Sequence, residues 1–227
     1  MRISTVAALP LALFLTQDAA VPVARESHHH RVLENEWVRV YDVVVAPGDS
    51  TLYHVHASDY LFVTIGAADL MAQPIGGAAT PLRAADGEVR FTKATITHRV
   101  VNPAASPRFH NLTIEVLKTP SEARGVAPGG PAPAPTAHGS SLVLENDRVR
   151  AVRLVLDPGD SVPMHTHQRP GLAVIVHGGM LGITTPGHAV QYSTSNDGDY
   201  IWNGGSRTHS LVNVGKTRFE VVEIEWK

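Results

Sequence analysis

The chain has no cysteine. That excludes disulfides, thiolate-bound metals and a cysteine nucleophile, and it is compatible with an oxidising compartment outside the cytoplasm. Charge is sparse, at 18% of 227 residues, and nearly balanced at a formal net -2, so nothing draws the protein to nucleic acid or an anionic membrane surface. No stretch shows the periodicity of an amphipathic helix. The apolar run from Ile3 to Leu15 is too short for a comfortable membrane span. What the sequence has in quantity is 19 Gly and 16 Pro, suited to many short strands and turns, and 13 His.

The apolar run follows Arg2 and precedes small residues at Ala19, Ala20 and Ala24, the pattern of a Sec signal. Residues 1–24 are therefore read as a signal peptide, and a periplasmic or secreted protein is expected. Cuts after Ala20 or Ala24 would place Asp18 or Pro22 three residues upstream, which makes a poor cleavage site. An uncleaved anchor or a first strand are the alternatives. There is no twin-arginine pair, so export would be of the unfolded chain, and no lipoprotein cysteine follows the run.

The rest of the chain is one pattern written twice. Val32-Leu33-Glu34-Asn35 returns as Val143-Leu144-Glu145-Asn146, and Pro47-Gly48-Asp49-Ser50 as Pro158-Gly159-Asp160-Ser161. His54, His56, Gly87, His98 and Asn102 return as His165, His167, Gly198, His209 and Asn213, every pair 111 positions apart. Arg108-Phe109 and Arg218-Phe219 close the copies, one residue out of step. This divides the chain into domain one at 25–118, a Pro/Gly/Ala-rich spacer at 119–139 and domain two at 140–227. Within each copy, β-branched and aromatic runs such as Val38–Val45, Leu61–Ile65, Val149–Leu156 and Leu172–Val176 are bounded by Gly and Pro. They predict an all-β sandwich or barrel.

Residues two apart on a strand share a face, so His54 and His56 enter the same space. If the strand carrying His98 lies beside theirs, three imidazoles meet there and leave open positions for water, substrate or oxygen. Domain two repeats this with His165, His167 and His209. Here the sequence resembles the cupin superfamily, in its two-domain bicupin form. Gly48, His54, His56, Gly87, His98 and Asn102 fall on the two cupin motifs, as do Gly159, His165, His167, Gly178, Gly198, His209 and Asn213. The resemblance implies two tandem cupin barrels of the double-stranded β-helix, or jelly-roll, type. The family glutamate is absent: Tyr60 and Gly171 stand at its positions, and Lys93, Thr95, Gly204 and Ser206 replace the second motif's Pro and Gly. The pattern is that of three-histidine cupins such as thiol, diketone and gentisate dioxygenases, and it departs from oxalate-degrading and germin-like bicupins.

Each domain is thus expected to hold one divalent transition metal (Fe, Zn, Mn, Cu or Ni) through His54, His56 and His98 or His165, His167 and His209. Three neutral imidazoles leave the ion's full charge, which favours anionic or enolate-forming chelators. Iron there would support oxygen chemistry and zinc hydrolysis or hydration; loading outside the cytoplasm favours copper or zinc. The expected activity is an exported metal-dependent oxidoreductase, dioxygenase-like, acting on a small chelating or anionic organic molecule. A Lewis-acid lyase, isomerase or hydrolase, and a non-catalytic binding bicupin, are the alternatives. The mature protein is expected not to be membrane-embedded, and cupins often pair into homo-oligomers. Tyr60 is the candidate catalytic residue, read first as a barrel-lining aromatic. His28-His29-His30 is read as a solvated tract. His110, His138, His177 and His188 are read as surface or satisfied core residues, with a pocket role open for His177. Arg39, Arg99, Arg150 and Arg207 are candidate anion contacts, with surface solvation the plainer reading.

Overall fold

The computed structural model describes residues 19–119 and 139–227. Most of the expected signal segment, His138 and nearly all of the spacer lie outside the described residues. The first copy supplies β1 (Val21–Pro22), β2 (His29–Glu34), β3 (Val38–Val45), β4 (His54–His56), β5 (Tyr60–Thr64), β6 (Ala68–Pro74), β7 (Thr80–Ala84), β8 (Val89–Thr92), β9 (Ile96–Val101) and β10 (Phe109–Val116). The second supplies β11 (Ser140–Glu145), β12 (Val149–Leu156), β13 (Ser161–His167), β14 (Gly171–His177), β15 (Gly179–Thr184), β16 (Gln191–Ser195), β17 (Tyr200–Asn203), β18 (Arg207–Asn213) and β19 (Phe219–Trp226). Among the described residues the only helical element is a 3-10 turn at Val23–Arg25.

Each copy folds into two facing sheets. Their orders are β1-β4-β9-β6-β7 over β2-β3-β10-β5-β8 in the first, and β13-β18-β15-β16 over β11-β12-β19-β14-β17 in the second. The sheets are built from antiparallel pairs, with one parallel exception: Val21 and Pro22 lie against His54 and Val55. The first barrel therefore takes in residues upstream of 25, and Val23 is buried within it.

Strand alternation sorts the side chains. On β3, Tyr41, Val43 and Val45 fill the first barrel, while Val38 and Val40 point the other way. On β19, Phe219 and Val221 fill the second, while Val222, Ile224 and Trp226 point away. The outward sets meet, so the barrels share an apolar core built from β3, β5, β10, β12, β14 and β19. These strands carry apolar residues on both faces because both faces are buried. Trp226, fully buried, packs edge-on against Trp202 at 5.2 Å.

The repeated turns and caps have the same job in both copies. Gly48 (φ 83°) and Gly159 (φ 91°) each follow a Pro, and the turns close through the Asp49 amide on the Ala46 carbonyl (3.1 Å) and the Asp160 amide on the Asp157 carbonyl (2.9 Å). Proline presets one turn angle and glycine permits the next. The buried Asn102 amide donates to the Val45 and Pro107 carbonyls, both at 2.9 Å. Asn213 does the same for Leu156 (2.8 Å) and Thr217 (2.9 Å). The motif asparagine is thus a strand tie, not a metal ligand.

The barrels also meet at two glycines. A Cβ on Gly87 would stand 2.7 Å from Glu220 Oε1, and one on Gly198 would stand 2.7 Å from the His110 ring. The two overlying residues are equivalents in the repeat with opposite partners. His110 contacts Asp42 at 2.7 Å, whereas Glu220 is paired with Arg153 and Arg218. His177 joins the same joint, with Nε2 2.7 Å from Asp86. That accounts for it without a pocket role.

Candidate metal centres

In the second domain β13 and β18 set His165 directly opposite His209, and His167 lies two residues on, on the same face. The three Nε2 atoms form a triangle: 3.0 Å from His165 to His167, 3.3 Å from His167 to His209 and 3.2 Å from His209 to His165. Two nitrogens each about 2.1 Å from one ion stand about 3.0 Å apart at a right angle and about 3.4 Å apart at the tetrahedral angle. The triangle has the spacing of three donors to a single ion. The tautomers agree with this. His165 Nδ1 donates to the Pro163 carbonyl at 2.9 Å, which leaves its Nε2 lone pair facing the others. His167 Nδ1 lies 3.4 Å from Glu225 Oε1, the carboxylate support common behind metal-bound imidazoles.

Charge follows the same logic. Burial, with His165 and His167 adding to it, holds His209 down at about 3. The Glu225 hydrogen bond raises His167 against its burial. Burial pushes the Glu223 carboxyl up, against the pull of His167 and His165. Its Oε1 stands 3.9 Å from His167 Nε2. Neither glutamate is in the cupin motifs. The signal that would have found them is their i, i+2 spacing on β19, which turns both into the barrel. The centre opens on a cavity of about 90 Å³, with Arg169 and Arg207 as well as Leu181, Ile183, Leu211 and Phe219 in its wall. At Gly171 a Cβ would stand 2.9 Å from the Ile224 carbonyl oxygen, so the missing side chain is imposed by β19 as well as useful to the cavity.

The first domain repeats the strands but not the surroundings. His54 faces His98 across β4 and β9. The ring centroids of His54 and His56 lie 4.7 Å and 5.4 Å from His98, close to the 4.6 Å and 5.2 Å of their counterparts. His54 Nε2 and His56 Nε2 are 3.1 Å apart, and His54 Nδ1 donates to the Leu52 carbonyl at 2.9 Å. His56 Nδ1 and His98 Nε2 are buried with no hydrogen-bond partner. Burial holds all three rings neutral. His54 is lowered to about 3 and His98 to about 4, with His29 adding to both; His56 falls to about 2, with His54 and His98 adding to it. A set of neutral, partly orphaned imidazoles suits a transition metal.

The structure also places the remaining candidates, and one of them differs from the sequence reading. His29 is not part of a solvated tract: it is buried on β2, opposite Val43, with its ring 4.6 Å from His54. His29, His54 and His56 offer donor atoms that all lie within 4.8 Å of one another, whereas the expected ligand His98 stands beside that set and outside it, its ring 4.7 Å from that of His54. His30 alone of that tract is exposed, and His28 reaches Glu26 and Asp49. Tyr60 lies flat on His56, centroids 4.0 Å apart and planes 19° apart, with its hydroxyl engaged by Thr92. It buttresses a histidine and turns its face, not its oxygen, to the centre. Among the arginines, Arg39 is committed to Glu34 and Glu115, and Arg99 to Gln73 and the Tyr53 ring. Only Arg207 of the four candidates lines a centre. The first cavity, about 50 Å³, has His29, Thr51, Tyr60 and Asn111 in its wall and no arginine.

No protein-family model and no curated protein sequence matches the chain. Solved structures do. AerE from Microcystis aeruginosa is 14% identical, over 87% of this chain and 96% of that one, with a TM-score of 0.56. A cupin 2 conserved barrel domain protein from Leptotrichia buccalis is 10% identical over 87% of each chain, with a TM-score of 0.52. A Bacillus subtilis oxalate decarboxylase, described for its Mn(II) centres, is 12% identical over 92% of this chain and 79% of its own, at 0.58. At such identities the likeness is one of fold, and it agrees with the motif residues and the two histidine clusters. The fold is that of two cupin-type jelly-roll barrels in tandem.

Proposed function

We propose that the protein is an exported, metal-dependent oxidoreductase, dioxygenase-like, and that its second domain turns over a small anionic chelating substrate. The observation that carries this reading is the Nε2 triangle of His165, His167 and His209, open to a cavity with Arg169 and Arg207 in its wall. These three residues would hold the ion. When bound, it would supply polarisation of a chelated oxygen atom and, if redox-active, a route for electrons to dioxygen. The chain's own residues do the rest. The guanidiniums select and orient a carboxylate by charge-assisted hydrogen bonds. Glu225 fixes the His167 tautomer, and the apolar wall of Leu181, Ile183 and Leu211 keeps bulk water out.

A second reading, a metal-dependent lyase, is favoured by Glu223. Its carboxyl, raised by burial, is a proton carrier beside the centre, and structural neighbours include oxalate decarboxylases. Oxalate and small hydroxy- and oxo-acids are therefore the first substrates to try, with protein loaded in turn with Fe, Mn, Cu and Zn. Oxygen uptake in step with substrate loss supports the oxidoreductase. Turnover without oxygen, retained with zinc, replaces it with the lyase, and tight binding without turnover leaves a binding bicupin. Export to the periplasm or beyond rests on the Arg2 and Ile3–Leu15 pattern; no described helix is long and apolar enough to cross a membrane.

A further inference from the structure

The segment ahead of the first barrel's β3 carries chemistry that the repeat does not. His29 has no counterpart in domain two, where Ser140 occupies its place. It is 8% exposed, and its Nδ1 stands 2.6 Å from Glu26 Oε2. Glu26 is itself buried, and its other oxygen accepts from the Leu52 amide at 3.1 Å, two residues ahead of His54. A carboxylate can only accept, so a neutral His29 carries its proton on Nδ1, and its Nε2 lone pair is the one left to serve the cluster it forms with His54 and His56. A core histidine kept for packing alone has no need of a buried carboxylate to set its tautomer.

We propose that His29 is a ligand of the first-domain centre together with His54 and His56, the three whose donor atoms lie within 4.8 Å of one another. On this assignment the centre clamps the N-terminal segment to the barrel, and is not a second place of turnover. The inference rests on the metal-binding reading above. All-nitrogen donors suit Zn(II), Cu(II) or Ni(II), and a clamp needs no room for substrate. The small cavity without arginines agrees with this, as do the nearly complete burial of His54 and His56 and the alignment of β1 along β4.

The test is Zn(II) titration of the metal-free full chain against a competing chelator, with hydrogen exchange of residues 21–34 measured with and without zinc. Wild type should bind two equivalents, and zinc should slow exchange in that segment. His29→Ala should weaken one equivalent by at least about 100-fold and abolish the protection. Glu26→Gln, which keeps the ring and removes its support, should weaken the same equivalent by about 10- to 100-fold. Amide protection of β3 and β10 equal to that of metal-free wild type shows that the first barrel of each variant is folded. Two equivalents of wild-type affinity in His29→Ala, or exchange at 21–34 indifferent to zinc in wild type, would overturn the proposal while leaving the metal reading intact. No zinc bound by wild type would overturn both.

Discussion

The two barrels share a motif and have diverged around it. Tyr60 and Gly171 are equivalents, and each faces a glutamate across the sheet, Glu115 and Glu225 respectively. In the first barrel the tyrosine covers His56, and Glu115 is held by Arg39. In the second the position is empty and Glu225 reaches His167. Thr113 in one is Glu223 in the other, and Ile96 in one is Arg207 in the other. The same backbone thus encloses its histidines on one side and exposes them to a charged cavity on the other. Three conserved positions per repeat are compatible with two different sites, and the neighbours that line each barrel decide which one forms.

The largest effect expected from this contrast is on turnover. His209→Ala should lower it by more than about 100-fold, since even loss of an outer partner costs about 10- to 100-fold, while His54→Ala should leave it within a few-fold. Metal analysis should show one equivalent lost in each. Equal losses of turnover in both would break the contrast.

Acid should separate the metal-free barrels next. His54, His56 and His98 are neutral when folded and take up protons near 6.5 when unfolded. Their contribution is therefore present above pH 6.5 and lost as pH falls below it, by up to about 2 kcal/mol per histidine at pH 5. In the second barrel His209 acts the same way, but His167 is raised, so its contribution is present below pH 6.5 and lost as pH rises through its folded value. Amide exchange at β4 and β9 should accelerate between pH 7 and 5 more than at β13 and β18. Parallel acceleration would refute the assignment of neutral rings to one barrel.

Arg207→Ala should raise KM for an anionic substrate by about 10- to 100-fold with little change in metal content, the value of one charge-assisted hydrogen bond. The smallest effect concerns the N-terminus. On the proposed export reading, the pairing of Val21 with β4 and the burial of Val23 favour a cut after Ala20, so intact mass should show a chain beginning at Val21. A chain started at Arg25 should lose about 1.5 kcal/mol of stability from Val23 alone.

Much of this was legible in the sequence. The 111-residue offset, the Pro-Gly turns and the period-two runs specify two β-barrels, and His-x-His places two rings on one face whatever the fold. His29 was not legible, because its inward direction depends on β2 pairing in register with β3, and three histidines in a row contain no alternation to read. Glu223 and Glu225 were missed for a related reason. The motif directs attention to position 171 for a carboxylate, whereas the carboxylates come from the neighbouring strand, which passes within reach only after the sheet has formed.

The joint between the barrels has a consequence for assembly. Where one half offers a histidine–aspartate pair, the other offers arginine and glutamate, each seated over its neighbour's glycine. Two identical halves would meet as equals across a two-fold axis in a homodimer. These halves have become unlike partners, so the contact is that of a heterodimer written on a single chain. The tether holds them at an effective concentration in the millimolar range, and each half is free to drift further from its twin without having to find a new mate.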